Sequence, residues 1–136
     1  MSFDAFLFFD GNCREALDFY AHAFAAEPGR VMTYGEAPGA DRTGPDADRL
    51  IYAELPVAGV QLMFSDRMTG QEHVVGNNLA LTLGLDDAVE IRRVFEALAE
   101  GGTIQMPLGE TFFSSLFGMV TDRFGIIWQI SFTGKG

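Results

Sequence analysis

The chain has 136 residues, a formal net charge of −10 and one cysteine. That length suits one ordinary domain with its own core, and a 48% hydrophobic share excludes wholesale disorder. The balance of 19 acidic to 9 basic residues excludes a nucleic-acid or anionic-membrane partner, whose phosphates such a surface repels.

Asp4 and Asp10 bracket the first apolar run, Phe3 to Phe9, and no basic stretch precedes it, so it does not read as a secretory leader. It is also far shorter than the roughly 20 apolar residues that span a bilayer. Its aromatic character predicts a strand. Asp10-Gly11-Asn12 is a turn. Asn12 and Glu15 fit a capping box for a first helix with Cys13, Ala16, Leu17, Tyr20 and Phe24 on its apolar side. Pro28-Gly29 stops that helix, which ends near Ala26. Arg30 to Tyr34 is a short strand. The segment 35–48 is rich in glycine, proline and charge and reads as a mobile loop or flap. Leu50–Leu55 and Val60–Ser65 are strands joined through Val57–Gly59 as a hairpin. A polar connector, Asp66 to Asn78, leads to a strand at Leu79–Leu85. Asp86 or Asp87 then caps a second helix with Ile91, Val94, Phe95 and Leu98 on its stripe, ended by Gly101-Gly102. Thr103–Met106 is a weak strand stopped by Pro107, and Leu116–Thr121 and Ile126–Phe132 complete the series.

Strand, helix and three strands therefore occur twice. An offset of 75 pairs Tyr20 with Phe95 and Ala5 with Ala80, and an offset of 66 pairs Gly59 with Gly125. The expectation is an α+β fold: two βαβββ modules, about 1–66 and 77–133, forming a curved mixed sheet with helices on the convex side. They pack as one domain over 1–136.

Three segments carry a family resemblance. Phe8-Phe9-Asp10-Gly11-Asn12-Cys13-Arg14-Glu15-Ala16-Leu17-Asp18-Phe19-Tyr20 resembles the opening of the PhnB-like branch of the vicinal oxygen chelate superfamily, which includes glyoxalase I, bleomycin-resistance proteins and extradiol dioxygenases. Leu62-Met63-Phe64-Ser65-Asp66 is similar to the end of that branch's fourth strand, and Gly118-Met119-Val120-Thr121-Asp122-Arg123-Phe124-Gly125-Ile126-Ile127-Trp128 to its closing signature. Some members carry a ubiquinone-methyltransferase-like label, but no methyl-donor fold is legible here.

The resemblance implies where a metal would sit. Metal-dependent members take His and Glu or Gln ligands from four strands at repeat-related positions. Those positions fall on Ala5, Met63, Ala80 and Gln129, with Leu62 in place of Met63 if the register slips by one. Two alanines ligate nothing, and a thioether is a poor ligand for a hard or borderline ion. The expectation is no metal site of that type and no cofactor.

Other chemistry is sparse. His22 reads as a surface or interface residue of the first helix, and His73 as a solvated connector residue. Cys13 reads as a small buried residue. Ser114-Ser115 has no histidine partner and fits no hydrolase motif.

Alternation assigns a ligand-facing set. Ala5 on the concave face carries Leu7 and Phe9 with it, Met63 carries Gln61 and Ser65, Ala80 carries Thr82 and Gly84, and Gln129 carries Ile127 and Ser131. Trp128 then points away. The candidate ligand-binding residues are Gln61, Met63, Thr82, Gln129, Phe9 and Ser65. Tyr52 or Glu54 joins them according to strand parity. Phe112, Phe113 and Phe117 close one end, and the 35–48 loop covers the other. Such a lining suits a small, largely apolar ligand held by a few hydrogen bonds.

The sequence therefore points to a cytoplasmic, homodimeric protein without the usual metal that binds a small molecule. The dimer is implied by the family and favoured by 13 phenylalanines. Two alternatives stay open: a lyase or oxidoreductase-type enzyme of this superfamily with a non-standard site drawing on Gln61, Glu54, His73 and Gln129, or a resistance protein that sequesters an antibiotic.

Overall fold

The computed structural model describes residues 1–134. In chain order the elements are β1 (Ala5–Phe9), α1 (Cys13–Phe24), β2 (Val31–Thr33), β3 (Leu50–Val57), β4 (Val60–Asp66), β5 (Ala80–Leu85), α2 (Ala88–Ala99), β6 (Thr103–Gly109), β7 (Phe117–Thr121) and β8 (Ile127–Phe132). A single 3-10 turn, Tyr34–Glu36, follows β2. The fold is α+β and contains two four-stranded mixed sheets, ordered β1-β4-β3-β2 and β5-β8-β7-β6. The chain divides into two compact units, Met1–Val74 and a second from Val75 onward. Each is one βαβββ module.

In the first unit β1 runs parallel to β4, and β3 pairs antiparallel with both β4 and β2. The β3–β4 hairpin turns on Ala58 and Gly59, both at positive φ, the backbone that matches the twist of a tight hairpin. α1 buries Cys13, Ala16, Leu17, Tyr20 and Ala23. Tyr20 stacks on Phe64 of β4 with centroids 5.9 Å apart, and Phe64 stacks on Phe9 at 6.0 Å. These aromatic contacts join helix and sheet into one core.

The start of α1 departs from the expected capping box. Asn12 makes no side-chain cap. Asp66, at the end of β4, does this work from 53 residues away: its Oδ1 accepts from Cys13 N at 3.0 Å and from Gly11 N at 2.8 Å. Its Oδ2 accepts from Leu50 N at 2.9 Å. One buried carboxylate, 2% exposed, thus ties β4, β3 and the first turn of α1 together. Burial, and secondarily the Asp66 charge, push the Cys13 thiol from 9.0 up to about 12, which leaves it protonated and unreactive.

The second unit repeats the topology. β5 runs parallel to β8, and β7 pairs antiparallel with β8 and β6. Asp87 caps α2 from within its own segment, accepting from Val89 N at 2.9 Å and Glu90 N at 3.4 Å. Glu90 turns instead to Arg93. β6 does not stop at Pro107 as expected but runs on to Gly109. It is an edge strand with register shifts around Met106, where a missing N–H costs no ladder bond. At the turn before β8, the Asp122 carboxylate is 3% exposed. It accepts from Phe124 N, Ile126 N and Trp128 Nε1, the last at 2.8 Å.

Candidate functional site

Each sheet has one face packed on its helix and one left open, and strand alternation decides which side chains reach the open one. In the first unit Leu62, Phe64 and Asp66 of β4 and Ala53 and Leu55 of β3 are buried on the helix side. Their neighbours Gln61, Met63, Tyr52 and Glu54 take the other side. β1 is paired so that Phe6 lies beside Met63 and Phe8 beside Ser65. Phe6 and Phe8 therefore stand on the open face, 41% and 43% exposed, with rings stacked at 4.9 Å and 17°. Tyr52 adds a tilted ring 6.2 Å from Phe6.

Polar groups frame this aromatic patch. The Tyr52 hydroxyl donates to Glu54 Oε2 at 2.7 Å, and Arg30 N donates to Glu54 Oε1 at 3.1 Å. Those donors, the tyrosine first, hold the Glu54 carboxyl below its ordinary range. The same contact raises the Tyr52 phenol. Glu54 is therefore an acceptor held by two donors. At the other end of β4 the Arg67 guanidinium covers the Phe8 ring, with Cζ 4.3 Å from its centroid.

The open face of the second unit has different chemistry. Thr82 and Gln129 are register partners, and the Thr82 hydroxyl donates to Gln129 Oε1 at 3.0 Å. Gly84 lies beside Ser131, and Met119 beside Gln129. Ser131 Oγ donates to Ser114 Oγ at 3.3 Å. Trp128 and Ile130 are buried on the helix side.

Of the expected site residues, Gln61 and Met63 meet on the first open face, and Thr82 and Gln129 on the second. Ser65 shares the first face but is 7% exposed, with its hydroxyl turned to the Asp66 carbonyl. Phe9 is a correction. It is 2% exposed and stacked on Phe64, on the helix side, together with Ala5 and Leu7. Three residues, Asp10 to Asn12, join β1 to α1, whereas two, Asp86 and Asp87, join β5 to α2. An offset of 75 aligns the helices, but that one-residue difference turns β1 over relative to β5. Sequence reasoning accordingly missed Phe6 and Phe8. The available signal was parity: Phe6 and Phe8 fall on the same strand face as the polar Asp4 and Asp10.

The metal positions implied by the superfamily change with this correction. In the first unit Phe6 replaces Ala5 beside Met63, while in the second Ala80 keeps its place on the open face next to the Thr82–Gln129 pair. Neither a phenyl ring and a thioether nor a methyl group, a hydroxyl and an amide fit a hard or borderline divalent ion. Among the described residues no three His, Cys, Asp or Glu side chains gather to hold one. His22 is exposed, and His73 is half-buried with no partner among the described residues for its buried Nδ1. Surface hollows of about 600 Å³ beside α2 and β6 and about 320 Å³ around residues 110–115 are lined by none of Gln61, Met63, Thr82 and Gln129. Both are shallow grooves open to solvent, so the chemistry of the faces marks the candidate site better than hollow size.

The segment 35–48 is tied to the body of the first unit. Gly35 N donates to Ala47 O at 3.0 Å, Asp46 accepts from the Thr69 hydroxyl and amide, and Arg49 bridges Asp10 and Asp46. No helix among the described residues is long and apolar enough to cross a membrane.

Comparison with known proteins agrees with this geometry. Residues 2–131 match the family model described as 3-demethylubiquinone-9 3-methyltransferase. The chain is 32% identical to Protein YjdN of Escherichia coli over 96% of its own length and 95% of that protein. It superposes on the crystal structure of protein PA1353 from Pseudomonas aeruginosa with a TM-score of 0.89 and 34% identity, over 99% of each chain. A Bacillus cereus structure described as a putative 3-demethylubiquinone-9 3-methyltransferase, PhnB protein, gives a TM-score of 0.83 and 30% identity over 98% of this chain and 100% of that one. The fold extends to a glyoxalase/bleomycin resistance protein/dioxygenase family enzyme from Burkholderia phytofirmans, with a TM-score of 0.66 and 14% identity over 94% of each chain. The chain thus belongs to the PhnB-like family that carries the 3-demethylubiquinone-9 3-methyltransferase description.

Proposed function

We propose that this chain is a small-molecule-binding member of its family, acting without the superfamily's metal, and that its ligand is largely apolar and lies on the open sheet face. One observation carries the reading: Phe6 and Phe8 stand stacked and two-fifths exposed on the side of the sheet away from the helix. Leaving two phenyl rings in water forfeits about 25 cal/mol per Å² of apolar surface, a cost that a ligand covering them would remove. Gln61, Met63 and the Tyr52–Glu54 pair border these rings. This combination of apolar floor and few fixed hydrogen-bonding groups suits recognition of a small molecule. Thr82 and Gln129 are the polar pair on the second unit's own open face.

A homodimer belongs to the same reading. Phe112, Phe3 and Leu79 are nearly or largely exposed at 101%, 94% and 77%, surface that a second copy would cover. Light scattering on the eluted protein should give twice 14.9 kDa, and a single 14.9 kDa species at micromolar concentration would contradict it. The binding reading is tested by a thermal-shift screen of metabolites, antibiotics, methyl donors and divalent metals. A ligand of the native state raises the melting temperature. A saturating shift from an organic compound, abolished by Phe6→Ala, is the expected result. A shift from a divalent ion alone, or chemical turnover of a compound that binds, would favour the enzyme reading.

A further inference from the structure

Arg67 follows β4 directly, and its backbone is fixed on both sides. Its N–H donates to the Phe9 carbonyl at 2.6 Å, and its carbonyl accepts from Arg49 Nη1 at 2.8 Å. The side chain therefore leaves from a set point and lies over the Phe8 ring at 4.3 Å. Its Nε is buried, and no group among the described residues accepts the proton. Arg49, by contrast, is met by Asp10 and Asp46, Arg93 by Glu90 and Arg123 by Glu100. Arg67 has no carboxylate at ion-pair distance among the described residues. A guanidinium cannot shed its charge, so a buried, unmatched N–H on it carries a desolvation cost that an acceptor would remove.

The surrounding acids are committed elsewhere. Asp66 lies on the helix side and accepts three backbone N–H groups. Asp10 is held by Arg49. Glu54 is bound by Tyr52 and stands opposite Met63, four residues back along β4, which at about 3.3 Å per residue is about 13 Å away. The open face of the first unit is thus polarised, cationic at Arg67 and anionic at Glu54, with Phe6 and Phe8 between. The guanidinium fork pairs bidentately with planar or tetrahedral oxyanions.

We propose that Arg67 receives the oxyanionic head group, a carboxylate or phosphate, of a ligand whose flat apolar body lies on Phe6 and Phe8. This rests on the small-molecule reading and narrows it to an anionic ligand. The probes that test it are benzoate and phenyl phosphate, with benzamide as the neutral shape control and inorganic phosphate as the head group alone. Binding is followed by calorimetry and by NMR signals of Phe6, Phe8 and Met63. One of the anionic aromatic probes should bind at least tenfold more tightly than benzamide. Arg67→Gln should erase that difference and leave benzamide within twofold, and Arg67→Lys should restore part of it. Equal affinity for the charged and neutral probes, or a preference that survives Arg67→Gln, would overturn the oxyanion assignment while leaving the binding reading intact. Inorganic phosphate binding as tightly as phenyl phosphate would overturn the role of the aromatic body. The absence of any shift at Phe6, Phe8 and Met63 with all four probes would overturn both readings.

Discussion

The two units share a topology and differ in almost everything that the topology leaves free. In the first, the helix is anchored by a buried carboxylate delivered from another strand, and the open face is aromatic with fixed charges at its ends. In the second, the helix is capped by the residue before it, and the open face carries the Thr82–Gln129 pair and small side chains, with Met119 and Phe117 beside them. The βαβββ layout dictates one packed face and one open face per sheet. It does not dictate how the helix start is satisfied or what the open face displays. Those are separate choices, made by single residues, and each can be tested against its counterpart.

The largest contrast should come from the two helix anchors. Asp66→Ala leaves three backbone donors unmatched in a buried site, and we expect a loss of about 3 kcal/mol or more in denaturant unfolding. Asp87→Ala removes an ordinary exposed cap and should cost about 1 kcal/mol. Equal losses would erase the distinction between the units.

Close packing gives the next contrast. Ala53 pairs with Phe64 in the first sheet, and Gly118 pairs with Ile130 at the matching place in the second. A Cβ at Gly118 would stand 2.7 Å from Phe95 Cε2 and 2.9 Å from Leu108 Cδ2. Gly118→Ala should therefore destabilise by about 2 kcal/mol through overpacking. An unchanged midpoint would show that α2 is free to move off the sheet.

A third contrast is in pH dependence. Cys13 opens α1, whereas Ala88 opens α2. The folded thiol ionises near 12 against 9.0 for the unfolded chain. Above pH 9 the unfolded state therefore binds fewer protons, and stability is lost as the pH rises from 9 towards 12. The loss should be about 1 kcal/mol by pH 10. Cys13→Ala should remove that slope, and a slope unchanged in the variant would contradict it. The smallest effect is expected at Thr82, whose bond to Gln129 is exposed. Thr82→Val should alter stability by less than about 0.5 kcal/mol, so a larger change would mean that the pair is structural.

The element order was legible because apolar spacing is local. Cys13, Ala16, Leu17 and Tyr20, and likewise Ile91, Val94, Phe95 and Leu98, appear in the helix cores as their spacing requires. Trp128 turning inward and Thr82 sharing a face with Gln129 followed from alternation once the family resemblance had set Ala80 and Gln129 on that face. The first open face was misassigned because a strand has period two, so one residue of difference in a connector exchanges Phe9 for Phe6 and Phe8. The Asp66 cap was hidden for another reason: its partners lie 53 and 55 residues away, beyond any local pattern. Pro107 reads as a stop until β6 is known to be an edge strand. Arg67 left no mark in the sequence, since only the fold brings it over Phe8.

The central claim is that the open face of the first sheet receives the ligand. Selective labelling of the methionine methyl groups tests it directly, because Met63 lies on that face and Met1 lies outside every element. On titration with the compound that most stabilises the protein, the Met63 methyl signal should shift and saturate with the same affinity as the thermal response, while Met1 stays in place. A compound that stabilises the protein at saturation and leaves Met63 unmoved would contradict the account.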